Sequence, residues 1–182
     1  MSEWKPIIEV VFQHEVDPKR GPYVNNPKDP GGETSYGLSR RWLQKVGLGL
    51  EDLKAMTATR AEEIYCDYYE TPSAPLFKTC IMNITPQKSA TKLYDAAVVM
   101  GFHEATYLCQ LALLDCGVSL VPDGFFGSQT LQAINKVDEQ QLVDSYSDHL
   151  AAHFKSLAAK NHDFDIFLNG WLDRARWGHS NV

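Results

Sequence analysis

A carboxyl group at the end of an apolar helix face is the first feature of this sequence with a chemical use. Residues 4–15 are predicted to form a helix, on which Ile8, Val11, Phe12 and Glu15 follow the i, i+3, i+4, i+7 spacing and share one side. Partial desolvation disfavours the charged form of a carboxyl, and a neutral carboxylic acid can protonate a glycosidic oxygen. Glu15 is therefore a candidate general acid, although a glutamate that ends a helix beside a loop also suits a surface or hydrogen-bonding role.

The turn-rich segment after this helix carries two further candidates. Residues 17–37 are dense in Pro, Gly, Asn and Asp and leave room for a short hairpin at most. Asp29 opens a tight Asp-Pro-Gly-Gly turn, and Thr34 follows it. If this wing folds over the helix end, Asp29 and Thr34 lie opposite Glu15 across a cleft, as glycoside hydrolysis requires. The alternative is that Asp29 only nucleates a turn and Thr34 caps a strand.

Helical patterns dominate the rest of the chain, and strand signals are weak. The predicted helices run from Ser39 through Val46, from a capping box at Thr59–Glu62, from Thr85-Pro86 to Gly101, over Ala105–Leu114, from Ser128 through Ile134, from Asp138 to about Lys160 and from about Asp165 to Arg176. Residues 71–85 are predicted to be a long connection. The predicted fold class is mainly α, with a small β-hairpin or irregular wing after the first helix.

Composition and charge narrow the classes of function. The chain has 182 residues, of which 44% are hydrophobic and 22% charged, which suits one globular domain or one domain with a small appended subdomain. A net charge of −6 argues against nucleic acid as a ligand. No apolar run is long enough to cross a membrane, and no signal peptide is predicted. The four cysteines lack CxxC or zinc-ligand spacing and are predicted to be buried free thiols.

Several motifs, in order along the chain, resemble one known family. The stretches Phe12–Glu15 (FQHE) and Gly21–Ser39 (GPYVNNPKDPGGETSYGLS) resemble the opening of glycoside hydrolase family 108, a group of phage endolysins and bacterial muramidases in the lysozyme superfamily. The resemblance continues through AEEIY, YDAAV, QL with DGFFG, and FLNGWLDR. Two positions depart from the family pattern: a five-residue insertion at Val16–Arg20, and Val99 in place of an Asn.

The resemblance implies an arrangement of regions and a catalytic set. Residues 1–100 would form a lysozyme-like catalytic region, and residues 101–182 a helical peptidoglycan-binding-like region packed on it as one compact unit. Glu15 would be the catalytic acid. Asp29 would stabilise positive charge or hold water, and Thr34 would position that water.

Four further residues are candidates for binding the substrate. Tyr23 and Tyr36 flank the Asp29 turn and either stack on sugar rings or pack the wing. Asp95 is expected to be a structural helix residue near the cleft floor. Trp171 either lines a sugar groove or docks the last helix, in which case Arg174 three residues later is expected to pair with a carboxylate.

The function implied is an N-acetylmuramidase that cleaves the β-1,4 bond between N-acetylmuramic acid and N-acetylglucosamine, with no metal or organic cofactor. Its partner would be the glycan strands of peptidoglycan. The protein would be made in the cytoplasm and act in the periplasm or cell wall after holin- or secretion-system-dependent delivery, with an immunity protein as a further partner if it is an effector. The alternative is a non-catalytic peptidoglycan-binding or assembly protein that retains the fold.

Overall fold

The computed structural model describes residues 1–16, 18–19, 21–25, 32–68 and 81–181. Asp29 and most of the connection predicted over residues 71–85 therefore lie outside the described residues. Within the described ranges the chain is mainly α-helical, with a small antiparallel sheet directly after the first helix. The predicted fold class is confirmed.

The described elements begin with helix α1 and a three-stranded sheet. In chain order they are α1 (Trp4–Glu15), β1 (Tyr23–Val24), β2 (Thr34–Ser35), β3 (Leu38–Ser39), α2 (Arg40–Lys45), α3 (Leu50–Lys54), α4 (Ala58–Tyr68), α5 (Gln87–Met100), α6 (Phe102–Asp115), α7 (Ser128–Ile134), α8 (Glu139–Lys160), a 3₁₀ turn (His162–Phe164) and α9 (Asp165–Arg176). The strands pair in the order β1-β2-β3, with Tyr23 opposite Ser35 and Ser35 opposite Leu38. A single hairpin was the most that the sequence predicted, so the third strand is a correction.

Side-chain caps explain where several helices begin. Ser39 Oγ accepts a hydrogen bond from Trp42 N at the start of α2, and Asp138 accepts one from Gln141 N at the start of α8, as predicted. The predicted cap at Thr59 is wrong. Thr57 caps α4 instead, accepting from Arg60 N at 3.2 Å, because the helix begins two residues earlier than the Thr-x-x-Glu pattern indicated.

Two smaller corrections concern residues with weak sequence signals. Helix α3 was not predicted, and only five residues form it, which is too short for a periodic pattern to emerge. Its first turn is held by a 2.7 Å hydrogen bond from Gly49 N to Asp52 Oδ2. Helix α7 has the predicted bounds, but Gly127 rather than Ser128 is its N-cap residue.

The chain divides into two compact units. The hairpin unit is Ile8–Pro75, and the helical unit is Met1–Ile7 together with Leu76–Val182. Helix α5 thus belongs with the C-terminal helices. The predicted division at residue 100, and the packing of the two predicted regions on each other, stay predictions. Among the helices in the described ranges, none is both long and apolar enough to cross a bilayer.

Apolar side chains from every helix of the hairpin unit fill its core. Its larger buried side chains include Ile8, Val11, Leu38, Leu43, Leu53, Ile64 and Tyr65. Burying one such side chain contributes roughly 1.5–3 kcal/mol, so this core positions the end of α1 and the sheet firmly. Phe12 and Glu15, one turn apart at the end of α1, are only half-buried. The side of α1 that faces the core is therefore buried at Ile8 and Val11 and partly exposed at Glu15.

The core of the helical unit contains a thiol with a perturbed ionisation. Cys109 on α6 is buried and unpaired, and burial raises the pKa of its thiol from 9.0 to about 12. Since the unfolded thiol releases its proton near pH 9 and the folded one does not, the unfolded state binds fewer protons above that pH. This group therefore makes the fold less stable as pH rises from 9 towards 12.

Replacing Cys109 by Ala is expected to remove this alkaline sensitivity. Between pH 8 and 10.5 the wild type should lose about 2 kcal/mol of unfolding free energy relative to Cys109→Ala. The measurement is urea denaturation of both proteins at several pH values. Titrating groups that do not interact with Cys109 cancel in the difference. A difference between the two proteins that stays constant with pH would contradict the prediction.

Candidate functional site

A two-residue turn joins the second and third strands of the sheet. Ser35 and Leu38 are paired across it, and the loop consists of Tyr36 and Gly37. Both loop residues have positive φ, +50° for Tyr36 and +77° for Gly37. This combination defines a type I′ turn, whose twist matches that of the flanking strands. Tyr36 is the one non-glycine residue with positive φ in the described part of the chain.

The strained Tyr36 is held by contacts on three sides. Its N–H donates to Pro22 O at 3.0 Å. Its carbonyl accepts a 2.8 Å hydrogen bond from Tyr65 Oη on α4. Its ring lies 5.2 Å from that of Phe12 on α1, and the Tyr65 ring lies 6.1 Å from Phe12 as well. A left-handed conformation costs a non-glycine residue about 1–2 kcal/mol, and these contacts offset that cost.

The turn lies directly against the carboxyl group of Glu15. A methyl group placed on Gly37 would come within 2.7 Å of both Cγ and Cδ of Glu15. A glycine is therefore required at position 37 for two reasons: the positive φ and the close approach of the Glu15 side chain. The half-buried Glu15 side chain ends α1 and is packed against a rigid turn. A carboxyl that is held in place yet partly open to solvent has the placement that a general acid needs.

A second carboxylate, Glu33, organises the outer part of the sheet. It accepts hydrogen bonds from Tyr23 Oη at 2.9 Å, from Asn25 Nδ2 at 3.3 Å and from Arg40 Nη1 at 3.3 Å. The hydrogen bond that Tyr23 donates to Glu33 raises the pKa of Tyr23, because an ionised phenolate has no proton to donate and the hydrogen bond would be lost. The Tyr23 hydroxyl is therefore engaged in fixing the wing, while its ring stays only half-buried.

Four of the predicted site residues lie in the hairpin unit. Glu15 ends α1, Thr34 begins the central strand, Tyr36 is in the turn that Glu15 contacts, and Tyr23 begins the first strand. Glu15 and the hairpin that carries Thr34 and Tyr36 are thus brought together, whereas Asp29 lies outside the described residues. The roles of Asp29, Thr34, Tyr23 and Tyr36 in catalysis or sugar binding stay predictions.

The two other predicted residues, Asp95 and Trp171, lie in the helical unit. Asp95 on α5 is 4% exposed and receives two 2.9 Å hydrogen bonds from the Arg174 guanidinium. The expected pairing of Arg174 with a carboxylate is therefore confirmed. Trp171 stacks on Phe154 and Phe167 at ring distances of 5.2 and 5.8 Å. Both residues have structural contacts here, and their predicted roles in binding sugar stay predictions.

Sequence reasoning missed Gly37 and Tyr65 as parts of this site. Gly37 was recognised only as a turn former within the family-like stretch Gly21–Ser39, and Tyr65 only as the last residue of the family-like AEEIY motif. The signal available was the Tyr-Gly pair between two residues able to form strands, which is typical of a tight hairpin turn. The contact of that turn with Glu15 depends on tertiary packing, which no local pattern encodes.

The Tyr65 hydroxyl fixes the turn, so its removal tests how far the turn positions Glu15. Tyr65→Phe keeps the ring against Phe12 and deletes the hydrogen bond to Tyr36 O. We expect a loss of about 1 kcal/mol in stability and a fall of about tenfold in kcat with little change in KM. The measurement combines urea denaturation with turnover at a saturating substrate concentration.

Tyr146 offers a matched control in the helical unit. Its hydroxyl donates a 2.8 Å hydrogen bond to Ala105 O, so Tyr146→Phe deletes the same kind of interaction. This variant should lose similar stability and keep the wild-type kcat. Equal kcat losses in Tyr65→Phe and Tyr146→Phe would show that the effect is general destabilisation rather than positioning of Glu15.

These features define a class: a mainly α, lysozyme-like protein in which a glutamate at the end of the first helix is held by a β-hairpin turn. The family comparison then identifies the chain. It matches the family described as Glycosyl hydrolase 108 over residues 8–101, more than half of its length, and it belongs to that family. Residues 104–176 match a second family, described as Predicted Peptidoglycan domain.

A solved structure shares the fold. The chain is similar to SagA from Brucella abortus, with 25% identity, a TM-score of 0.73, and coverage of 98% of this chain and 92% of that one. No curated protein sequence matches it. The protein is therefore a glycoside hydrolase of the lysozyme type with peptidoglycan as its partner.

Proposed function

We propose that this protein is an N-acetylmuramidase that cleaves the β-1,4 bond between N-acetylmuramic acid and N-acetylglucosamine, with Glu15 as the general acid. The observation that carries the proposal is the placement of the Glu15 carboxyl, partly open to solvent and packed against the type I′ turn at Gly37. Membership of the Glycosyl hydrolase 108 family supports hydrolysis of a glycosidic bond. The match of residues 104–176 supports peptidoglycan as the substrate.

The proposed reaction uses one proton and one water molecule. Glu15 gives its proton to the glycosidic oxygen as the bond from that oxygen to the anomeric carbon breaks. Positive charge develops on the sugar ring, and water supplies the hydroxyl of the new reducing end. The proton that this water loses balances the one given by Glu15. Asp29 is proposed to stabilise the positive charge or hold the water, and Thr34 to position it.

The proposed place of action is the periplasm or cell wall, reached after holin- or secretion-system-dependent delivery. The proposed catalytic residues and the peptidoglycan-matching region would then bind the glycan strands outside the cytoplasm. The non-catalytic alternative, a peptidoglycan-binding or assembly protein that retains this fold, predicts binding without release of any product.

Measurements of turbidity, reducing groups, amino groups and binding on purified sacculi separate these possibilities. Wild-type protein is expected to lower the turbidity of a sacculus suspension and to release reducing groups without new amino groups. New amino groups would indicate an amidase or peptidase instead. Binding of the protein to sacculi without reducing groups or turbidity loss would support the non-catalytic alternative and contradict the proposal.

A further inference from the structure

A rigid loop in the helical unit exposes two apolar side chains. We call residues 121–125 the exposed loop. Gln110 on α6 is 2% exposed and forms hydrogen bonds to this loop. Its Oε1 accepts hydrogen bonds from Asp123 N at 2.9 Å and from Gly124 N at 2.8 Å. Its Nε2 donates to Asp123 Oδ1 at 2.9 Å and to Phe125 O at 3.1 Å. Asp123 Oδ1 also accepts from Phe125 N at 2.9 Å. The backbone at Phe125 is thus fixed on both sides.

His103 supports the same loop from α6. Gly124 has φ of +74°, and a methyl group placed on it would come within 2.7 Å of three atoms of the His103 ring. The His103 ring also meets that of Phe125 edge-on, with centroids 5.3 Å apart. The loop backbone therefore has little freedom to move. The conformational entropy of the loop is lost when the protein folds, so binding of a ligand does not require a second loss.

This rigidity contrasts with the exposure of the loop's apolar side chains. Val121 is 77% exposed and Phe125 is 70% exposed. Asp123 lies between them, and its hydrogen bonds from Gln110 and from Phe125 N lower the pKa of its carboxyl, which keeps it ionised. The loop thus presents two fixed apolar groups beside a fixed carboxylate.

A small cavity of about 260 Å³ lies beside these groups. Its lining includes Val121, Asp123 and Phe125 and the polar side chains of Ser128 and Gln129. This is slightly below the range of about 300–1,000 Å³ that encloses a whole drug-sized ligand. The cavity suits one sugar ring of a longer chain. Its mixture of an aromatic face with carboxylate, hydroxyl and amide groups matches the apolar face and polar edge of a pyranose.

We propose that Val121, Asp123 and Phe125 form a wall-binding site that takes an N-acetylated sugar of the peptidoglycan glycan strand. The proposal rests on the proposed function for the identity of its ligand, and the site lies within the region that matches the peptidoglycan domain. The C–H face of the sugar packs on Phe125 and its N-acetyl methyl on Val121. Asp123 accepts hydrogen bonds from the sugar hydroxyls.

Binding of Phe125→Ala to the wall tests this site. The substitution leaves the backbone hydrogen bonds of residue 125 in place and removes a side chain that is mostly exposed, so the fold should keep its stability. Ile166→Ala is the matched control, because Ile166 is 76% exposed in the same unit and does not line the cavity. Binding is measured by co-sedimentation with intact sacculi and by retention on immobilised glycan strands freed of their stem peptides, at low temperature to limit digestion.

We expect Phe125→Ala to bind both materials at least tenfold more weakly, and Ile166→Ala to bind like the wild type. Unchanged binding by Phe125→Ala, or a loss confined to peptide-bearing strands, would overturn the site while leaving the muramidase proposal intact. Conversely, a wild type that releases no reducing groups but binds peptide-free strands through Phe125 would overturn the muramidase proposal and support the site.

Discussion

Glu15→Gln is expected to lower the turnover of peptidoglycan by about a thousand-fold, within the range of about 10²–10⁴ that a positioned general acid contributes. The amide has nearly the same shape as the carboxyl and can keep its place against Gly37, but it has no acidic proton to give. The substitution should therefore change kcat far more than KM. The measurement is release of reducing groups from sacculi over a range of substrate concentrations.

Glu9 provides the control for this substitution. It lies on the same helix, α1, and is exposed. Glu9→Gln makes the same chemical change and should leave kcat within about twofold of the wild type, as expected for a surface substitution. Both variants should unfold at a denaturant concentration close to that of the wild type. Full activity in a folded Glu15→Gln protein would exclude Glu15 as the acid.

The second large effect is expected from Gly37→Ala. The new methyl group would occupy space within 2.7 Å of Glu15 Cγ and Cδ, so the carboxyl must leave its place. Because a displacement of about 1 Å at a reacting group can cost about a hundredfold in rate, we expect a loss of that order in kcat. The same substitution should also cost about 1 kcal/mol in stability, since alanine is disfavoured at positive φ.

Gly47→Ala separates these two contributions. Gly47 has φ of +81° in the same unit, and a methyl group there would meet nothing within 4 Å. This variant should show the stability loss alone and retain wild-type kcat for the folded protein. The account is contradicted if Gly37→Ala and Gly47→Ala lose stability alike and both stay fully active, because the turn would then have no influence on Glu15.

The helices were largely predictable because their signals are local. The apolar stripe that ends at Glu15 correctly predicted helix α1. The capping residues Ser39 and Asp138 correctly predicted the starts of α2 and α8, because a cap acts within the first turn of its helix. The capping box at Thr59–Glu62 was predicted wrongly because the local sequence offers two candidate caps. Thr57 and Thr59 are both capping residue types, and nearby sequence alone did not choose between them.

The candidate site was predictable only in part, since its parts are far apart in sequence. Glu15 stood out by its position on a helix face, and the family resemblance added its proposed role. The contact between Glu15 and Gly37 and the hydrogen bond from Tyr65 Oη to Tyr36 O join residues 22 and 29 positions apart. Such pairs depend on how α1, α4 and the sheet pack together. Likewise, no local pattern indicates that Gln110 organises the exposed loop through Asp123 and Phe125.

Glu15 is proposed to drive hydrolysis at the reducing side of N-acetylmuramic acid. Its most direct test is mass spectrometry of the products from sacculi digested by wild-type protein and then reduced with borohydride. We expect fragments whose reduced end is N-acetylmuramic acid, produced by the wild type and by Glu9→Gln but absent with Glu15→Gln. Fragments that end in reduced N-acetylglucosamine or in a 1,6-anhydro sugar, or the same products from Glu15→Gln, would contradict it.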